Sequence, residues 1–325
     1  MHVPDGFLSA GTSVATGVIS IGTVGGALRQ ARDQFKEKAV PLAGISAAFV
    51  FAAQMFNFPV AAGTTGHLLG GALAAILLGP SVGVVVVTIV VVVQAFAFAD
   101  GGITALGTNV LNMAIVPAYG GFAVFTLLRR WLPRSTGGVV AATGLAAWLS
   151  VVLSAAAFSI EWLFGATAPV PFDTVFAAMV GVHLVIGIGE GVLSAITLGA
   201  VMAARPDLVY GAADLTAAEI GDRTPVKMRT FIIGGILTAL ILGTVVSQFA
   251  SGDPDGLERV AIETGIASAQ PPASTDFALF ADYATDGVGN ERVSLAVAGA
   301  AGVLIAFAVG GGVFLAIRDP DKEKV

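Results

Sequence analysis

The stretch that decides the fold is Val82-Gly-Val-Val-Val-Val-Thr-Ile-Val-Val-Val-Val-Gln94-Ala-Phe-Ala-Phe-Ala99. It contains no charged residue, and an apolar run of this length is typical of a transmembrane helix. The whole chain agrees, because 56% of its 325 residues are hydrophobic, only 12% are charged and the mean hydropathy is +0.88. The sequence therefore predicts an integral membrane protein.

Working outward from this run, the apolar segments predict an all-α fold, a polytopic membrane helical bundle with about nine crossings. A β-barrel would instead show short alternating segments, and the 42 glycines suit helices that pack closely in lipid. Segment 68–79 is short for a crossing and is compatible with a tilted or partly re-entrant helix. The predicted segments are 8–28, 40–56, 68–79, 82–99, 103–128, 136–160, 174–203, 230–250 and 293–317.

Basic residues orient the predicted bundle. They cluster after the first span at 29–38, after the fifth at 129–134, after the seventh at 205–229 and after the last from Arg318 onward. Because Lys and Arg mark the cytoplasmic side, we expect the N-terminus outside and the C-terminus in the cytoplasm of a prokaryotic cell. A cleaved signal peptide would need its positive charges before the apolar run, so we expect no such cleavage. We also expect the initiator Met1 to be retained, because the second residue, His2, is large and bacterial-type processing usually spares Met before a large residue.

A large polar segment, 251–291, follows the eighth span and is expected outside. It carries one base, Arg259, and either attracts cations or forms a solvated acidic surface. Its acids are Asp253, Asp255, Glu258, Glu263, Asp276, Asp282, Asp286 and Glu291. We expect the domain boundary in the loop before it, which gives one unit at 1–220 and a second at 221–325.

The first two residues form a possible metal chelate. The chain has no cysteine, so a metal must be held by nitrogen or oxygen. The Met1 amine and the His2 amide and imidazole can close fused rings around one ion, and His67, also on the outer side, can supply a fourth nitrogen. Such a set suits Ni²⁺ or Cu²⁺ and can hold Co²⁺, but it does not suit Mg²⁺ or Ca²⁺. The alternative is a frayed His2 and a packing His67.

Other polar residues lie within or near the spans. His183 and Glu190 are seven residues apart on one helix face and either relay protons or bond to neighbouring helices. Asn57 is the first choice among the amides that could orient His67, because it lies close to it in sequence and near the outer side. Other amides with the same two interpretations are Gln54, Gln94, Asn109 and Asn112.

Several classes of protein are not indicated. The chain has no Gly-x-x-x-x-Gly-Lys-Ser/Thr phosphate loop, no basic aromatic surface for nucleic acid, and no nucleophile–base pair typical of an enzyme.

Five motifs in order resemble those of the CbiM/NikM family, the substrate-binding membrane subunits of energy-coupling-factor (ECF) transporters for cobalt and nickel. The resemblance covers about residues 1–220. Downstream, Asp253-Pro-Asp-Gly-Leu-Glu258 resembles the PDGLE-type small subunit, so the chain resembles a fused CbiMN/NikMN protein. The five motifs are Met1-His-Val-Pro-Asp-Gly-Phe-Leu8, Gly63-Thr-Thr-Gly-His-Leu-Leu-Gly-Gly71, Gln94-Ala-Phe-Ala-Phe-Ala-Asp-Gly-Gly102, Leu106-Gly-Thr-Asn109 and His183-Leu-Val-Ile-Gly-Ile-Gly-Glu-Gly191.

The resemblance implies a function and a set of partners. The ligands of Co²⁺ or Ni²⁺ would be the Met1 amine, the His2 amide and imidazole nitrogens and the His67 imidazole, with no organic cofactor. A membrane coupling (T) subunit and two ATPase subunits would drive import through the lipid bilayer. The alternatives are a proton-coupled secondary transporter that uses His183 and Glu190, or a non-transporting membrane accessory protein.

Overall fold

The structure is a computed structural model that describes residues 1–34, 40–61, 63–221, 224–269 and 277–317. Some charges used to orient the chain lie outside these ranges. They are Lys36, Lys38, Arg223, Asp276 and the C-terminal run from Arg318.

The described residues are mostly helical, as the sequence predicts. A π-helical stretch, Leu111–Gly120, joins α5 to α6 into one continuous segment. The helices are α1 (Ala10–Gln34), α2 (Val40–Gln54), α3 (Gly71–Leu78), α4 (Pro80–Ala97), α5 (Leu106–Val110), α6 (Gly121–Leu128), α7 (Thr136–Gly165), α8 (Phe172–Ala204), α9 (Ala217–Ile220), α10 (Met228–Thr244), α11 (Gly256–Thr264) and α12 (Glu291–Ile317). Single 3₁₀ turns occur at Pro206–Leu208, Tyr210–Ala212, Val246–Phe249, Ala267–Ala269 and Ala281–Tyr283.

Seven helical segments within the described residues are long and apolar enough to cross a membrane, so the prediction of a polytopic helical membrane protein is confirmed. The other two predicted apolar segments form α2 and α3, which have 15 and 8 residues. At a rise of 1.5 Å per residue, α3 is only about 12 Å long, against a hydrocarbon core of about 30 Å. The seven are Ala10–Arg32, Pro80–Ala97, Leu106–Leu128, Thr136–Gly165, Phe172–Ala204, Met228–Phe249 and Glu291–Ile317.

The polypeptide between α2 and α3 forms a small hairpin. Strands β1 (Phe58–Pro59) and β2 (Thr65–Gly66) pair antiparallel, after α2 has ended at Gln54 as Pro59 predicts. His67 follows β2 directly. Gly70, with φ of +79°, turns the chain into α3 at a backbone conformation that glycine adopts freely.

Close helix contacts unite the early and late parts of the chain. α7 packs along α8, where a Cβ at Gly191 would lie 2.6 Å from the Gly144 carbonyl oxygen. α10 and α12 both pack against α2, and a Cβ at Gly299 on α12 would collide with the Gly243 carbonyl of α10. Backbone contact at small residues is how helices associate in lipid. The last two spans therefore join the bundle that surrounds the hairpin.

Candidate metal site

The N-terminal octapeptide is folded into the protein. Met1 and Val3 are 4% and 0% exposed, and Ser9 N donates to the Gly165 carbonyl at 2.8 Å. The geometry therefore does not favour a frayed terminus.

Asn109 holds the backbone of this segment. Its Oδ1 accepts from Val3 N at 2.7 Å and its Nδ2 donates to the Val3 carbonyl at 3.0 Å. Gly102 N also donates to that carbonyl, at 2.9 Å. A Cβ at Gly102 would collide with the Asp5 backbone, so glycine allows the terminus to lie this close. The residue after His2 is therefore fixed on both of its main-chain groups.

The Met1 amine lies between two side chains from distant parts of the chain. It is 2.7 Å from His67 Nε2 and 2.8 Å from Asp255 Oδ2. Two nitrogens bound at a right angle to one metal, with bonds of about 2.0 Å, lie about 2.8 Å apart. The amine and the imidazole are thus already at the separation of neighbouring ligands.

His67 presents the ring nitrogen that a metal requires. Its Nδ1 lies 3.1 Å from the Leu68 carbonyl, which can only accept, so Nδ1 carries the proton and Nε2 keeps its lone pair. Burial lowers the pKa of His67 to about 3, and the positive amine of Met1 and the neighbouring His2 act in the same direction. His67 is therefore a neutral donor at neutral pH.

His2 lies beside His67, with ring centroids 5.5 Å apart and an angle of 24° between the ring planes. Its Nε2 is 3.2 Å from Gln94 Oε1 and its Nδ1 is 3.1 Å from Asp100 Oδ1. Burial lowers the pKa of His2, although Asp100 acts to raise it. Both facing oxygens are acceptors, so a metal at Nδ1 would require the His2 proton to lie on Nε2, where it donates to Gln94, and Asp100 to move away from Nδ1.

Glu190 and His183 both lie at the site rather than in a separate part of the bundle. The Glu190 carboxylate accepts from Leu69 N at 2.6 Å and from Gly70 N at 3.0 Å, and so fixes the backbone just after His67. His183 Nδ1 donates to the Met179 carbonyl at 2.7 Å. The His183 ring lines a cavity of about 10 Å³ together with Met1, His67 and Asp255. The seven-residue spacing between His183 and Glu190 did not predict that His183 lies beside Met1 and His67.

The other amides occupy different places. Gln54 Nε2 donates to the Leu69 carbonyl at 2.9 Å, next to His67, whereas Asn112 Nδ2 donates to Glu161 Oε2 at 2.8 Å. Asn57 contacts the second unit through its backbone carbonyl, which accepts from Ser251 N at 2.8 Å. The structure therefore favours Gln94 and Asn109 over Asn57 as neighbours of the N-terminal ligands.

His2 lines a larger cavity of about 480 Å³. Asp255, Glu258 and Asp282 of the acidic segment reach its wall, so part of that segment faces this cavity. The full set of carboxylate residues in its lining is Asp5, Asp100, Asp255, Glu258 and Asp282. Such a wall attracts cations.

Within the described ranges, no group of three or more His, Cys, Asp or Glu is placed to hold a metal. The donor set expected from the sequence is of a different kind, because it includes two main-chain nitrogens, the Met1 amine and the His2 amide, beside the imidazoles of His2 and His67.

Together, the apolar helices and this N-terminal cluster define a multi-pass membrane protein with a nitrogen-rich pocket closed by its own first residues. Residues 2–208 match the family model described as the cobalt uptake substrate-specific transmembrane region, CbiM, and residues 229–319 match the PDGLE domain. The chain belongs to the CbiM family and carries a PDGLE domain behind it, which confirms the resemblance seen in its motifs.

Known relatives align with both the CbiM region and the PDGLE domain of this chain. A NikMN chain of Archaeoglobus fulgidus is 33% identical over 310 residues, which are 95% of this chain and 97% of that one. The fused nickel transport protein NikMN of Rhodobacter capsulatus is 31% identical over 286 residues, covering 84% and 82% of the two chains. The crystal structure of a truncated transition metal transporter shares 32% identity with a TM-score of 0.54, and the match covers 61% of this chain and 96% of that one.

Replacing Glu190 by Gln tests whether it positions the loop after His67. An amide has one acceptor oxygen, so either Leu69 N or Gly70 N loses its partner, at a cost of about 1–3 kcal/mol. We expect a lower thermal unfolding temperature and weaker Ni²⁺ binding in purified protein. Glu161→Gln is the matched control, because the Asn112 contact needs one acceptor only. Equal effects of the two substitutions would contradict the assignment.

Proposed function

We propose that this chain is the substrate-capture membrane component of a cobalt or nickel importer. The ion would be bound by the Met1 amine, the His2 amide, His2 Nδ1 and His67 Nε2. The observation that carries the proposal is the 2.7 Å separation of the Met1 amine and His67 Nε2, which are 66 positions apart in the sequence.

The donors narrow the choice of metal. A set of four nitrogens in a plane suits Ni²⁺ or Cu²⁺ and can hold Co²⁺, whereas Mg²⁺ and Ca²⁺ require oxygen ligands. The family description names cobalt and a relative is named for nickel transport, which supports these two ions as the substrate. The metal is the substrate, and the proposal needs no organic cofactor.

The proposed topology has the N-terminus outside, the C-terminus in the cytoplasm and nine crossings. In its support, Asp100, just beyond the end of α4, lies next to His2, so α4 ends on the same side as the N-terminus. α3 would complete its crossing together with the loop that precedes it. Its almost fully buried residues support this, because irregular backbone at membrane depth must be enclosed by protein. The proposed units, 1–220 and 221–325, meet in the loop between the two family matches.

The chain would deliver the ion with the help of a membrane coupling (T) subunit and two ATPase subunits, as in ECF transporters. A proton relay through His183 and Glu190 is less well supported. Both Glu190 oxygens accept from backbone amides, and His183 Nδ1 is bonded within its own helix.

Disrupting the proposed ligands tests the site. We expect His2→Ala, His67→Ala and the addition of one residue before Met1 each to abolish high-affinity Ni²⁺ and Co²⁺ binding, because each removes a nitrogen or breaks the fused rings. Competition with a chromophoric chelator measures the affinity in purified protein. The matched control appends the same residue after Val325. Undiminished binding by the three variants would refute the ligand set.

The pH dependence tests the use of main-chain nitrogen. The amine and the amide must lose protons to bind a metal, so affinity should fall as pH drops from 8 to 6, by up to about tenfold per pH unit for each proton released. His67 does not contribute to this fall, because its pKa of about 3 keeps it neutral throughout this range. Calorimetry in buffers of different ionisation enthalpy counts the protons. Binding that is flat over this range would exclude amide ligation.

The requirement for ATPase partners is tested by uptake in cells. We expect ⁶³Ni²⁺ accumulation only when this chain is expressed with the coupling subunit and active ATPases, and none when the phosphate-loop lysine of the ATPases is replaced by alanine. Uptake by this chain alone that collapses with a protonophore would favour the secondary transporter instead.

A further inference from the structure

The motif Pro254-Asp-Gly-Leu-Glu258, here called the PDGLE segment, lies directly against the proposed metal site. Thr65 N donates to the Pro254 carbonyl at 2.9 Å, and Thr65 Oγ1 donates to the Asp253 carbonyl at 3.0 Å. Thr65 is two residues before His67. The second unit is therefore joined to strand β2, which directly precedes the proposed ligand His67 of the first unit.

The segment is seated closely. A Cβ at Gly256 would lie 2.6 Å from Ile186 Cδ1 and 3.1 Å from His183 Nε2, so only glycine fits against α8 without displacing these side chains. Leu257, the next residue, is 2% exposed. The position of the motif relative to His183 and His67 is thus fixed by packing on both sides.

Asp255 uses its two oxygens for two different tasks. Oδ1 accepts from Glu258 N at 2.9 Å and caps the N-terminus of α11. Oδ2 accepts from the Met1 amine at 2.8 Å and lies 3.9 Å from His67 Nε2. A carboxylate can serve both donors at once, because each oxygen accepts independently.

We propose that Asp255 is a positioning residue for metal capture: the second unit, through this carboxylate, holds the Met1 amine beside His67 in the arrangement that the ion requires. The inference rests on the proposed function. An amine bound to a metal through its lone pair still carries two hydrogens, so the contact with Oδ2 can persist when the ion is bound. A carboxylate that orients a ligand in this way typically contributes 10- to 100-fold in metal affinity.

Asp255 would raise the metal affinity because a chain terminus that nothing holds is mobile. An unheld amine would have to lose its rotational freedom at the moment of binding, and fixing it beforehand removes that cost. Val3 is already held by Asn109, but that contact leaves the torsions of Met1 free. Asp255 supplies the missing constraint from outside the first unit.

The substitution Asp255→Asn separates the positioning of the Met1 amine from the capping of α11. Asn is as good an N-cap as Asp, but an amide that caps α11 with its oxygen turns its NH₂ group toward the amine. The experiment compares Asp255→Asn, Asp255→Ala and Asp255→Glu in the full-length purified chain. Asp253→Asn is the control, because Asp253 lies in the same stretch and its carboxylate accepts from Ser251 Oγ instead.

The three quantities measured are the affinity for Ni²⁺, the rate of amide hydrogen exchange in the metal-free protein, and the ligand-field absorption of the Ni²⁺ complex. We expect Asp255→Asn and Asp255→Ala to weaken Ni²⁺ binding 10- to 100-fold and to speed amide hydrogen exchange of residues 1–8 in the metal-free protein. The ligand-field absorption at saturating Ni²⁺ should be unchanged, because the four nitrogens remain. Asp255→Glu should retain part of the affinity, and Asp253→Asn should match the unaltered chain in all three.

Several results would overturn the proposal. Unchanged affinity, or weaker affinity without faster exchange in residues 1–8, would remove the positioning role. A shifted absorption band at saturating Ni²⁺ would make Asp255 a direct ligand. The proposed function fails separately, if His2→Ala and His67→Ala bind Ni²⁺ as tightly as the unaltered chain. Thermal unfolding of Asp255→Asn, which keeps the cap, guards against misreading a folding defect.

Discussion

The burial of the charged chain terminus is the constraint on which the rest of the site depends. An ammonium group removed from water costs several kcal/mol unless it is paired and hydrogen-bonded. Asp255 supplies the opposite charge at 2.8 Å, and His67 supplies an acceptor at 2.7 Å. Burial acts to raise the pKa of Asp255, but the positive amine and the hydrogen bond from Glu258 N outweigh it and hold that pKa below its usual range. The terminus can lie here only because both partners are present.

The segments that carry the Met1 amine, His67 and Asp255 are each held in place by hydrogen bonds to their main chain. Glu190 fixes the backbone after His67, Asn109 fixes Val3, and Thr65 fixes the PDGLE segment. α8 is common to much of this framework, because it carries both Glu190 and His183. A displacement of α8 relative to the hairpin would therefore move the His67 loop and the wall of the small cavity together. This is a direct physical route from helix movement to the ligands.

The long helices could be predicted because an apolar run in lipid must satisfy its own backbone hydrogen bonds, and each predicted segment overlaps an observed helix. The motifs identified the family, and the chelate hypothesis predicted that His2 and His67 lie at one site. The contact of Asp255 with the amine could not be predicted, since 254 residues separate the two and an acidic loop has no periodicity. Nor could the placement of His183, because its position on a helix face does not say which loop packs against that face. The role of Asn57 beside His67 stays a prediction from nearness in sequence, and in the structure its backbone carbonyl accepts from Ser251 N.

The two cavities beside His2 and His67 differ in the chemistry they offer to a cation. The larger, of about 480 Å³, has carboxylates in its wall, and oxygen ligands accept Mg²⁺ and Ca²⁺ as readily as transition metals. The smaller, of about 10 Å³, has room for about one water, which by this measure of volume needs roughly 10–15 Å³, and so it cannot hold a full hydration shell. An ion that passes from one to the other must exchange water for nitrogen. Mg²⁺ dehydrates reluctantly and gains little from nitrogen, whereas Ni²⁺ and Co²⁺ gain strong bonds. In the proposed mechanism selectivity therefore arises at this exchange, and the groups that make it possible are the first two residues of the chain and the side chains that hold them in place.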